Sequence, residues 1–139
     1  MNYQPQLRQP KKKRQYPETA LQRAIVQILL LTRKPNVIYF AVPNGVKMAP
    51  RTAAHQKSIG MLAGVSDLVI DIGGRIHYLE VKAPGGKQSP DQLAFEAATI
   101  AQESPYMVVN NINDAIFVLE EWGAIRPRSK TRMTFQRTA

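Results

Sequence analysis

Apolar residues recur at helical spacing between Pro17 and Pro35: Leu21, Ala24, Ile25, Ile28 and Leu29 share one face of an amphipathic first helix. Pro17 stands where proline suits a first helical turn. Val37 to Val42 reads as a strand ending in a Pro43-Asn44-Gly45 turn. Residues 46–63 are polar and basic, with a short helix predicted around Thr52 to Ile59. Two apolar stretches then flank Gly73-Gly74, a pair that suits the φ > 0 conformations of a tight hairpin and makes the strands antiparallel neighbours. Ser89-Pro90-Asp91-Gln92 is a helix start: serine caps, proline takes the first position, and Gln92 returns a hydrogen bond in a capping box. The helix runs to about Gln102, and Ala94, Ala97, Ala98 and Ala101 form a small apolar face expected to pack on a sheet. Tyr106 to Val109 reads as a short buried strand, and Asn113 as the cap of a last helix reaching Trp122 before Gly123. The order α-β-(α)-β-β-α-β-α predicts an α/β fold, a mixed central sheet flanked by helices.

Composition divides the chain into three parts. Residues 1–14 form a basic N-terminal arm, 15–125 a single compact domain, and 126–139 a basic C-terminal tail. The net charge is +9, and the two tails hold ten of the nineteen lysines and arginines and no acid. The domain between them is therefore close to neutral, and the excess suits sequence-independent attraction to phosphate backbones. Lys11, Lys12, Lys13, Arg14, Arg126, Arg128 and Lys130 are candidate DNA contacts on these arms, and Lys47, Arg51, His55, Lys57 and Lys87 on the domain. An isolated exposed histidine such as His55 is more often only a surface polar group than a group that acts on substrate. Glu96, Glu103, Asp114, Glu120 and Glu121 come later in the chain, which predicts a basic binding face and an acidic back.

The absence of cysteine excludes disulfides and thiolate metal sites. The longest apolar run, Ala24 to Leu31, is broken by Gln27 and falls short of the roughly 20 residues a membrane span needs. The expectation is a soluble, cytoplasmic chain with no membrane partner and no small-molecule cofactor.

The hairpin carries the chemistry. Side chains alternate across a strand, so Glu80 and Lys82 share one face and Val81 points to the other. The Gly-Gly turn folds Asp67 back towards Glu80. Two carboxylates held close repel unless a hard cation such as Mg²⁺ or Mn²⁺ takes oxygen from both. Lys82 would then place an ammonium where it orients a water and stabilises charge developing on a phosphate. A Glu-x-Lys pair is also common as an exposed, solvated pair, but an unpartnered acid beside Leu68-Val69-Ile70 is costly. Asp71, at the turn, reads as turn chemistry. Glu18 lies on or beside the inward face of the first helix, where it reaches the site or simply answers the helix dipole. The capping box accounts for Gln92 without any role in the site.

These motifs together resemble the PD-(D/E)xK nucleases, and in particular their VRR-NUC branch. The resemblance rests on Glu18, Pro43-Asn44-Gly45, Gly60 with Gly64-Val65-Ser66-Asp67, Glu80-Val81-Lys82-Ala83-Pro84-Gly85 and Ser89-x-x-Gln92, over residues 17–122. It implies a restriction-endonuclease-like core in which Asp67, Glu80 and the Val81 carbonyl ligate Mg²⁺ or Mn²⁺. Lys82 matches the catalytic lysine, Glu18 the first-helix acid and possible further ligand, and Gln92 a glutamine near the site. Ser66 departs from the proline the family usually has there. Members include the C-terminal domain of a eukaryotic DNA-repair nuclease and small stand-alone phage and bacterial proteins, similar to dimeric nucleases of branched DNA. The expectation is therefore a metal-dependent DNA endonuclease for branched DNA such as four-way (Holliday) junctions, acting as a homodimer, in the host cell if phage-encoded. The residues leave open a nuclease for flap or linear duplex DNA and a non-catalytic basic nucleic-acid-binding module.

Overall fold

The computed structural model describes residues 17–43 and 47–128. Lys11, Lys12, Lys13, Arg14, Lys130 and the Asn44-Gly45 part of the predicted turn lie outside the described residues. Eight elements follow in the expected order: α1 (Pro17–Thr32), β1 (Val37–Ala41), α2 (Pro50–Ser58), β2 (Leu68–Ile72), β3 (Arg75–Val81), α3 (Pro90–Ala101), β4 (Tyr106–Val109) and α4 (Ile112–Glu121). The four strands lie side by side in chain order. The first three are antiparallel neighbours, and β4 is parallel to β3. A parallel neighbour requires a crossover, which α3 supplies. The result is an α/β fold with a mixed sheet flanked by helices.

Strand alternation separates two faces. Val37, Leu68, Ile70, Leu79, Val81 and Val109 point to one side and are buried against Ile25 and Leu29 of α1 and Ala115, Val118 and Leu119 of α4. His77 joins this side, 4.9 Å from the Trp122 ring, with Nδ1 3.0 Å from the Arg75 carbonyl; burial holds its pKa below the usual value. The opposite face carries Tyr78, Glu80 and Tyr106 beneath α3, where Phe95 meets both rings edge-on at 5.0 and 6.2 Å. No helix among the described residues is long and apolar enough to cross a membrane.

Four local expectations are corrected. Ala94, Ala97, Ala98 and Ala101 are exposed, and α3 instead turns Phe95 and the buried Thr99 inward, because one aromatic ring removes more apolar area from water than a row of methyls. On α1, Ala24 is likewise exposed, leaving Leu21, Ile25, Ile28 and Leu29 as the packing stripe. The cap of α4 is Asn111, not Asn113: its side chain accepts from the Asp114 amide at 2.9 Å, and Ile112 is already helical. In β4, Tyr106 and Val109 are buried while Met107 and Val108 are exposed, as befits an edge strand.

Helix α3 ends with Glu103 at φ 60°, the left-handed conformation usually given to glycine. The Ser104 amide bonds back to Thr99 and that of Glu103 to Ile100, so the helix end imposes this backbone. Glu103→Gly is expected to stabilise the fold by about 0.5–1 kcal/mol, read as a higher urea midpoint at unchanged slope.

Candidate active site

The register of the hairpin builds the site. Leu68 pairs with Leu79, so one step further places Asp67 opposite Glu80. The turn is made by Gly73 and Gly74 at φ 61° and 89°, and Asp71 accepts from the Gly74 amide at 2.7 Å, the turn role expected for it. Asp67 is fixed by its backbone, whose carbonyl accepts from the Val42 amide at 2.9 Å, and by its carboxylate, which accepts from the Val81 amide at 2.8 Å. Ser66 is fully buried, and its hydroxyl donates to the Leu68 carbonyl at 3.0 Å, so the departure from proline is accommodated by a satisfied polar side chain.

Glu80 is 1 % exposed, and Lys82 beside it is 12 % exposed; neither is a solvated surface group. Glu80 Oε1 lies 3.1 Å from Lys82 Nζ and accepts from Gln92 Nε2 at 2.7 Å. The other oxygen, Oε2, is buried without a hydrogen-bond partner. Burial, reinforced by the facing Asp67 carboxylate, pushes the Glu80 carboxyl up to about 7, with Lys82 opposing the shift. Asp67 is also raised, chiefly by burial, while the Val81 amide and then the Lys82 charge pull it back. Two carboxyls in this relation share either a proton or a cation.

Gln92 does more than the capping box requires. The box is present: Ser89 Oγ accepts from the Gln92 amide at 3.2 Å and Gln92 Oε1 from the Ser89 amide at 2.8 Å. The same Oε1 also accepts from Lys82 Nζ at 2.9 Å. One side chain thus caps α3 and clamps both Glu80 and Lys82. An amide with two acceptor lone pairs and two donors permits this, whereas the alternating hydrophobic pattern carries no sign of it.

Glu18 arrives from the start of α1, exposed, with Oε1 accepting from the Ala83 amide at 3.3 Å. Its charge adds to the upward shift of Asp67. Among the described residues no group of three or more His, Cys, Asp or Glu side chains is arranged to hold a metal ion, and Glu18 meets the site through the Ala83 amide. A pair is still a sufficient protein contribution for Mg²⁺, which commonly keeps several waters and takes only one or two carboxylates. A buried Oε2 without a hydrogen-bond partner, on a glutamate beside a second carboxylate, fits such a cation.

A groove of about 1040 Å³ opens beside the pair, between α2 with the loop after it and α3. Lys82 and Gln92 line it next to Glu80, and Lys57 and Lys87 also line it. Lys47, Arg51 and His55 are exposed but do not line it. Gly64, at φ 83°, lies so close to the Asp91 carbonyl that a methyl group would overlap it, which fixes the segment leading to Asp67 against the first turn of α3. Of the tail residues, Arg126 is exposed and its amide bonds to the Thr32 carbonyl at 3.2 Å. Arg128 pairs with Glu120 at 3.1 Å, which occupies its guanidinium on α4. Glu96, placed on the acidic back by its position in the chain, instead accepts from Gln88 at 2.9 Å on the α3 side of the sheet. Compared with known proteins, the chain matches no family model, no curated protein and no solved structure.

Proposed function

We propose that this chain is a divalent-metal-dependent deoxyribonuclease with a restriction-endonuclease-like core, acting as a homodimer on branched DNA such as four-way junctions. Glu80 carries the reading: a buried carboxylate across from Asp67, with one oxygen held by Lys82 and Gln92 and the other without a hydrogen-bond partner. A purely structural ion pair needs neither a second carboxylate nor an orphan oxygen, and both are costly in a protein interior. Their cost is offset when the site binds a cation.

Asp67 and Glu80 would hold Mg²⁺ or Mn²⁺, which supplies charge neutralisation at the phosphate and a more acidic bound water. Water would be the attacking group, activated at the bound cation. Lys82 uses two of its three N–H donors on Glu80 and Gln92, and lines the groove with the third free for a phosphate oxygen. Gln92 keeps that ammonium in place. Lys57 and Lys87 draw the DNA backbone towards it.

The endonuclease-like core is supported by the antiparallel β1-β2-β3 sheet extended by a parallel β4, with Glu80 on β3 and Asp67 at the entry to the adjacent β2. The junction preference rests on the resemblance of Asp67, Glu80-x-Lys82 and Ser89-x-x-Gln92 to the VRR-NUC pattern. A dimer follows from the need for two cuts across a junction, and exposed Ile38 and Phe40 on the outer strand β1 suit a covered surface. The test incubates the protein with Mg²⁺ or Mn²⁺ and labelled junction, flap and linear duplex, beside Glu80→Ala. The expected result is metal-dependent cutting of the junction by wild type and none by the variant. Equal cutting by both, or none by either, removes the nuclease reading; cutting of linear duplex alone removes the junction preference.

A further inference from the structure

The groove is wider and more apolar than a phosphate track requires. Beyond Lys82 and Gln92 it continues along α3 past Phe95, with Ala94 and Ala98 on that wall and Met61 and Leu62 opposite. Ala94 and Ala98 stand one turn apart, so their small side chains leave a slot where larger residues would close it. Both are exposed, as are Met61 and Leu62, so this apolar lining faces solvent. Three lysines line the groove, and among the described lining residues Asp91 is the single carboxylate.

We propose that this slot receives the base of an unpaired nucleotide adjacent to the phosphate held at Lys82. The inference rests on the nuclease reading above and names the feature of the DNA that the site selects. An apolar slot with a cationic margin matches a nucleotide, whose flat base covers apolar surface while its phosphate meets ammonium groups. A base within a duplex is stacked on both faces and hydrogen-bonded along its edge, so it does not enter a slot. An unpaired nucleotide at a branch has already lost that pairing and enters at little cost. Selection of branches that carry an unpaired nucleotide, as forks and flaps do, over fully paired DNA then follows from the groove, without base-specific contacts.

The test reads binding in EDTA, so it does not require the chain to cleave DNA and its failure is distinct from failure of the nuclease assay. A forked DNA with one unpaired nucleotide at the branch is compared, by fluorescence anisotropy, with the same fork made abasic at that nucleotide. Wild type is expected to bind the base-bearing fork about tenfold more tightly. Ala98→Trp, at an exposed position with no packing to disturb, fills the slot and brings the ratio close to one. Ala97→Trp, exposed on the same helix but outside the groove, keeps the wild-type ratio. The proposal is overturned if wild type binds both forks equally, if Ala98→Trp retains the tenfold ratio, or if Ala97→Trp loses it equally.

Discussion

Lys82→Ala is expected to lower metal-dependent cleavage by about 10²–10³-fold, the usual cost of removing one group that stabilises developing charge. Binding of uncut DNA in EDTA should stay near wild type, because Lys82 is 12 % exposed and adds little to the field that attracts the duplex. The loss has two parts. The phosphate loses its donor, and Glu80 loses the cation 3.1 Å away that opposes its upward shift. Lys82→Arg restores the charge, but a planar guanidinium does not reproduce an ammonium shared between Glu80 and Gln92, so little activity should return. Single-turnover cleavage and anisotropy on the same substrate separate the effects. Parallel loss of binding and cleavage would reduce Lys82 to a simple backbone contact, and undiminished cleavage would remove it from the reaction.

Glu80→Gln is expected to make the metal-free protein more stable by about 2 kcal/mol at about pH 8 while removing its response to metal. The Glu80 pKa of about 7 in the fold lies above its ordinary 4.5. Between these values the unfolded chain releases the proton and the folded one retains it. The metal-free fold therefore loses stability as pH rises from about 4.5 to about 7 and carries the full penalty above that. Glutamine keeps the shape and the oxygen that accepts from Gln92 but carries no charge to bury. Urea titrations from pH 4 to 8 should show wild type weakening across this window, with the variant lacking that component. Mg²⁺ should raise the melting temperature of wild type alone, and its affinity should fall about tenfold per pH unit below the Glu80 pKa as protons compete for the ligand. If the variant is less stable than wild type at pH 8, Glu80 is a structural ion-pair partner and the metal reading loses its main support.

The legible parts of the fold were those that short-range chemistry dictates. Gly73-Gly74 announces a hairpin because few other residues adopt positive φ twice in succession, and Ser89-Pro90 announces a helix start because each residue satisfies or omits a specific backbone donor. From the hairpin, strand alternation places Glu80 and Lys82 together, and pairing brings Asp67 across. The misreadings came from choices that neighbours make. The alanines of α3 look like a packing face until Phe95 has Tyr78 and Tyr106 to rest on. Asn111 and Asn113 are equivalent caps in a sequence, and the backbone leaving β4 selects the first.

Charge shows the same division. The basic residues are plain in the chain, but only the folded structure puts Lys57 and Lys87 on the groove, leaves Lys47, Arg51 and His55 off it, and commits Arg128 to Glu120.

Element order, the hairpin and the identity of the acids and lysine are properties of neighbouring residues, because dihedral preference and side-chain alternation act over a few bonds. The unpartnered Glu80 oxygen, its displaced pKa, the double use of Gln92 and the groove beside α3 depend on which groups are removed from water together. Desolvation and long-range hydrogen bonding are sums over residues far apart in sequence, so those features came into view only when α1, the sheet and α3 were packed.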